Sequence, residues 1–102
     1  MLFIRDDDPS VNGGLQSGTI FDFSLNNNGD LLELRCGETV IDAVIYDATF
    51  PGEAQVSMNL DPMFFDEIAN DAADAWCLST EVYWNEPEHL GTPGLTNTSC
   101  TP

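Results

Sequence analysis

Polar and apolar positions between Phe21 and Asn97 alternate in short bursts. Each burst is cut off by turn-forming residues, at Asn26-Asn27-Asn28-Gly29-Asp30, Gly37-Glu38, Pro51-Gly52 and Gly91-Thr92-Pro93-Gly94. No stripe at helical spacing runs longer than about two turns. Turn signals at this density predict an all-β chain, a sandwich or a barrel. Leu2-Phe3-Ile4 reads as a short first strand that ends at Arg5-Asp6-Asp7-Asp8-Pro9. Ser10 to Gly18 reads as a loop, because its glycines and serines raise the entropy cost of ordering it. The strand that resumes at Ile20 sets Phe21, Phe23 and Leu25 on one side.

Asn28-Gly29 tolerates positive φ and so predicts a hairpin into a strand with Leu32, Leu34 and Cys36 toward the core and Glu33 and Arg35 outward. Gly37-Glu38 closes a second tight hairpin. From Thr39 to Tyr46 nearly every residue but Asp42 is apolar, which predicts a central strand covered on both faces, with Ile41, Ala43 and Ile45 inward. After Pro51-Gly52, Ala54, Val56, Met58 and Leu60 alternate with Gln55, Ser57 and Asn59, the pattern of a half-buried strand with one wet face. Asp61-Pro62 predicts a capped helical turn near residues 62–69, carrying Met63, Phe64, Phe65 and Ile68. A last strand is expected from Trp76 to Thr80, followed by a Pro/Gly-rich segment from Glu86 to Pro102 running extended over the surface.

Several of these segments recur in a family order. Phe21-Asp22-Phe23-Ser24-Leu25, the Asn26 to Asp30 turn, Leu31-Leu32-Glu33-Leu34 and Val40 to Tyr46 are followed by Phe50-Pro51 and Val56 to Pro62. Asn70-Asp71 then precedes Ala75-Trp76-Cys77, and Gly91 to Asn97 closes the series. The succession resembles a lamin tail domain of the bacterial, secreted type. That resemblance implies an immunoglobulin-like β-sandwich with Trp76 at a core position. It also implies attachment to other extracellular domains, and hence a noncatalytic structural or protein-interaction role at the cell surface or outside the cell. The family's opening strands have no counterpart, and Leu2-Phe3-Ile4 looks like the middle of such a domain. Residues 1–97 are therefore expected to form the C-terminal part of the family domain, an incomplete sandwich, with 98–102 a tail or linker. The expected partner is another protein, the missing N-terminal part of the parent chain, or a second copy in a homo-oligomer.

Composition narrows the partners further. With 102 residues the chain holds one domain, and 42% apolar content is that of a globular protein. Eighteen acidic residues stand against two basic ones, a net charge of -16 with no lysine at all. Such a chain repels phosphate backbones and anionic lipid, and Arg5 and Arg35 make no basic stripe, so nucleic acid is excluded as a partner. The plain function of so many carboxylates is a solvated surface, suited to a saline exterior. No apolar run approaches the twenty or so residues of a spanning helix, and Met1 to Ile4 lacks the basic start and the length of an export signal.

The chemical inventory assigns no catalytic residue, no cofactor and no metal ligand. The single histidine, His89, sits in Pro87-Glu88-His89-Leu90-Gly91, and no nucleophile elbow occurs anywhere. Three scattered cysteines and one histidine lack zinc spacing. A calcium- or carbohydrate-binding β-sandwich is the alternative class. Asp6-Asp7-Asp8 or the loop from Asp66 to Asp74 would supply oxygens for calcium, without the spacing of a calcium loop, and Tyr83 and Trp84 would supply an exposed aromatic pair for sugar. The exterior-type composition favours a disulfide over three free thiols of a cytosolic protein. Cys36 shares a face with Leu32 and Leu34, and Cys77 follows Trp76 on the last strand. The expected bridge is Cys36 to Cys77, with Cys100 unpaired in a mobile tail.

Overall fold

A computed structural model describes residues 2–15, 17–85 and 87–101. Among the described residues, eight strands form four two-stranded sheets. Strand β1 (Phe3–Ile4) pairs in parallel with β2 (Thr19–Ile20). The other three pairs are antiparallel: β3 (Gly29–Cys36) with β4 (Thr39–Asp47), β5 (Met58–Leu60) with β6 (Trp76–Leu78), and β7 (Val82–Asn85) with β8 (Glu88–Leu90). Between β5 and β6 the chain makes three 3-10 turns, Pro62–Phe64, Ala69–Asp71 and Ala73–Ala75. No α-helix occurs among the described residues, so the chain is all-β.

The body is organised around β5 and β6, and polar contacts tie it together more than apolar ones. Only Ile4 and Ala75 are buried apolar side chains among the described residues, whereas Asn59, Asp61, Asn70 and Ser79 are buried polar ones. The segment from Thr92 to Cys100 returns across β5–β6. Asn59 Nδ2 donates to Thr98 O at 2.9 Å, Asn97 Nδ2 donates to Leu60 O at 2.9 Å, and the Cys100 amide donates to Asp61 at 2.7 Å. Asn59, expected on a wet face, is buried because this returning segment covers it. Asp61 also caps the Pro62–Phe64 turn, accepting from the Met63 amide at 2.8 Å, as the Asp-Pro pair predicts. The apolar side chains of that region point to solvent, Met63 and Ile68 among them.

Two further expectations are corrected. The alternation from Ala54 to Leu60 holds as strand only over Met58–Leu60, because Gln55 takes a φ of 66° and folds the preceding residues into a tight Glu53–Val56 bridge. The supposed extended segment after Glu86 contains β8, whose Leu90 exchanges hydrogen bonds with Gln55 and Ser57.

The molecule is open for its mass. Its radius of gyration is 14.0 Å, against about 13 Å for a compact chain of this length. Its accessible surface is 7304 Å², where a folded monomer of 11.2 kDa exposes about 5,700 Å².

Candidate interaction surface

The β3–β4 hairpin is the largest regular element of the chain, and its base is fixed by turn chemistry. Gly29 opens β3 at φ 144°, and a Cβ there would lie 2.9 Å from Tyr46 O, so only glycine fits. Asp30 accepts from the amides of Leu31 and Asn26, and these bonds hold its carboxyl below the usual range. Across the ladder, Tyr46 Oη donates to Asn26 O at 2.6 Å; partial burial and the nearby Asp30 charge raise its phenol. Asp47 accepts from the Thr49 hydroxyl and amide, which lowers its carboxyl. At the other end Gly37 takes φ 61° in the tight turn.

The register assigns the faces, because directly paired residues share one. Asp30↔Tyr46, Leu32↔Val44 and Leu34↔Asp42 form the face toward the body. Two chains of contacts join this face to Trp76. Asn70 Nδ2 donates to Asp42 at 2.7 Å, and Trp76 Nε1 donates to Asn70 O at 2.7 Å. Tyr46, Phe50 and Trp76 also form an aromatic series with ring centres 6.4 and 6.3 Å apart. Leu31↔Ile45 and Glu33↔Ala43 form the outward face, and Ile41 is the extra residue of a bulge opposite Leu34/Arg35.

The outward face is apolar and uncovered. Ile45 is 72% exposed, Ile41 54% and Leu31 44%. The expectation that Ile41, Ala43 and Ile45 face the core of a central strand is therefore reversed. The ribbon has two strands only, and the side carrying Asp42 and Tyr46 makes the contacts with the body. Even on that side Leu32 and Leu34 stay about half exposed. The ribbon's edges are open as well. Outside the ladder itself, no residue from Leu31 to Tyr46 makes a backbone–backbone hydrogen bond among the described residues. One ion pair, Arg35 Nη2 to Glu33 Oε2 at 2.9 Å, crosses the outer part of β3.

The cysteines are arranged otherwise than expected. Cys77 is bridged to Cys100, with a Cα–Cα distance of 5.5 Å, and Cys36 is a free, exposed thiol at the tip of β3. The Cys36–Cys77 pairing is thus corrected. Cys36 rides out on the hairpin, while Asn59 and Asp61 draw the Thr98 to Cys100 segment onto β6.

The other candidate groups are engaged locally. Asp6 accepts from the Asp8 amide, Asp8 accepts from the Ser10 amide and hydroxyl, and Asp66 accepts from the amides of Ile68 and Ala69. These bonds lower the carboxyls of Asp8 and Asp66. No group of three or more potential ligands able to hold a metal ion forms among the described residues. Trp84 stacks on His89 with ring centres 5.3 Å apart, and Tyr83 meets the same ring edge-on at 6.1 Å. A Cβ at Gly13 would lie 2.7 Å from Tyr83, so that ring is backed by the loop before β2. Tyr83 and Trp84 are half-buried and do not form a free aromatic pair. His89 Nδ1 lies 2.8 Å from Pro87 O.

Compared with known proteins, the chain matches no family model, no curated protein and no solved structure.

Proposed function

We propose that the chain is a noncatalytic structural or protein-interaction module of a secreted or cell-surface protein, an immunoglobulin-like sandwich of the lamin tail kind with one face left for a partner. The observation that carries this reading is the outward face of β3–β4. The chain exposes roughly 1,600 Å² more than a closed monomer of its mass. A specific interface takes about 800 Å² from each partner, so the surplus is ample for one. The apolar residues on it form one contiguous ribbon, unlike the scattered exposed side chains of an ordinary surface. The Cys77–Cys100 bridge is compatible with an oxidising exterior. No helix among the described residues is long and apolar enough to cross a membrane. The order of the strand and turn motifs supports the family reading, and the contacts of His89 with Trp84 and Pro87 support a structural place for the histidine.

Binding of the neutral dye Nile red tests the reading. The native chain is expected to bind the dye, and a Leu31→Asp/Ile45→Asp variant is expected to lose that binding while melting within about 5 °C of the parent, as exposed substitutions do. A parent that binds no dye, or a variant that unfolds, would refute it.

One observation favours the carbohydrate alternative. A cleft of about 210 Å³ between β5–β6 and the returning segment is lined by Ser57, Asn59, Ser79, Tyr83, Thr92 and Asn97. Asn59 Oδ1 and Ser79 Oγ, buried beside it, have no hydrogen-bond partner among the described residues, and a sugar hydroxyl would satisfy them where the cleft opens to admit it. Calorimetry against a glycan panel, with calcium as a separate arm, separates the two readings. Saturable heat with a glycan that is abolished by Ser79→Ala favours the sugar module, and silence favours the interaction module.

A further inference from the structure

We propose that the occupant of the β3–β4 ribbon is an extended strand of a separate protein, apolar on alternate positions and cationic on the others, which pairs with the open edge of β3. This inference rests on the interaction reading above and names the partner's chemistry. Three observations carry it.

The first is the form of the site. An apolar face alone would accept a helix or a loop, but here the backbone amides and carbonyls at the ribbon edges also lack ladder partners. Such groups are satisfied most completely by another strand, whose alternating side chains then cover the outward face. β4 packs against the Ala69–Asp71 turn, which leaves β3 as the more accessible edge.

The second is the pattern along that edge. Leu31 and Ile45 are direct neighbours on the outward face, followed by Glu33 and Ala43, with Ile41 in the bulge beyond. A strand added to β3 with its apolar residues on the outward face would cover Leu31, and its cationic residues would then lie on the other face, on the side of Asp30. Glu33 on the outward face is already paired with Arg35, while Asp30 on the other face accepts, among the described residues, only from the amides of Leu31 and Asn26 and keeps its charge for a cationic neighbour.

The third is charge, which decides against a second copy. The ribbon from Gly29 to Asp47 carries Asp30, Glu33, Glu38, Asp42 and Asp47 against Arg35 alone, and the whole chain carries -16. An isologous β3–β3 pairing centred on Glu33 sets that residue opposite its own symmetry mate, and any pairing of two copies brings together two chains of net charge -16; both effects are destabilising. A cationic strand instead gains from the same field both in encounter rate and in specificity.

The test uses the full chain and two short blocked peptides, one alternating valine with lysine and one alternating valine with glutamate. Amide hydrogen exchange locates binding, and titration at about 0.15 M salt measures it. The expected result is that the lysine peptide binds at least about tenfold more tightly than the glutamate peptide. Protection should be confined to β3 and β4, and binding should weaken as salt rises. Equal binding of both peptides at the ribbon would overturn the cationic assignment and leave the interaction reading standing. Ribbon protection that appears without peptide, together with a dimer in sedimentation equilibrium, would make a second copy the occupant and overturn the proposal. Lysine-peptide binding without ribbon protection, or no binding of either peptide, would also overturn it; the dye experiment then judges the interaction reading independently.

Discussion

Replacing Cys100 with serine removes the bridge to Cys77 and so tests how the C-terminal segment is held. The two cysteines are 23 residues apart, and closing a loop of that size in the unfolded chain corresponds to about 3 kcal/mol in the chain-entropy model. For a domain of this length each kcal/mol shifts the midpoint by roughly 4–8 °C, so Cys100→Ser is expected to melt at least about 10 °C below the parent. Cys36→Ser supplies the control. That thiol is exposed and unpaired, so its loss should change stability by no more than about 0.5 kcal/mol. Thermal melts of both variants, with thiol counting under native nonreducing conditions, form the assay. The parent should show a single alkylatable cysteine, Cys36. Three reactive thiols, a peptide linking Cys36 to Cys77, or equal destabilisation by the two substitutions would refute the reasoning.

Other outcomes follow from the same contacts. Gly29→Ala should destabilise by roughly 1–3 kcal/mol in urea unfolding, because φ 144° disfavours any side chain and the added Cβ meets Tyr46 O. The Asp61 carboxyl is held below its ordinary value of 3.8 by amide bonds from Met63 and Cys100, opposed by burial and helped by the Ser99 hydroxyl. Its contribution is therefore complete above pH 3.8 and lost as pH falls below 3.8 through the lower folded value, so protease cleavage near Ser99 should rise in that window for the parent and lose that dependence in Asp61→Asn. Sodium chloride should raise the melting temperature up to about half-molar, where the Debye length is roughly 4–5 Å, because screening relieves repulsion within a chain of net charge -16. A flat or falling curve would show that repulsion does not limit stability.

What the sequence made legible is what local chemistry decides. Gly29 and Gly37 mark both ends of β3 because their positive φ belongs to the turn itself, and Asp61-Pro62 marks a 3-10 start because a carboxylate and a proline fit that position without help from elsewhere. Alternation likewise set Leu32 and Leu34 on the face opposite Glu33 and Arg35. On β4 it did not identify which face meets the body. That choice depends on Asn70 and Trp76, far along the chain, which engage the Asp42 side and leave Ile45 in solvent. A signal was present: Thr39 to Tyr46 is apolar on both faces, yet few other segments are apolar enough to cover it. The Cys77–Cys100 bridge was obscured for the same reason, since it depends on long-range bonds from Asn59 and Asp61. The β7–β8 hairpin was legible in part, with Val82-Tyr83-Trp84 before a Pro87 turn, but the density of proline and glycine around it favoured a loop reading. The Asp6 to Asp8 and Asp66 runs resembled ion-binding loops because a carboxylate that caps its own backbone has the same sequence as one that faces a cation.

The central claim is that the outward face of β3–β4 stands open in the free chain. Carbene footprinting of the isolated protein, read residue by residue, tests it most directly. Heavy labelling of Leu31, Ile41 and Ile45, with Ile4 and Ala75 protected, is the expected result, in keeping with exposures of 72% at Ile45 and 5% at Ile4. Protection of Ile45 equal to that of Ile4 would contradict the account.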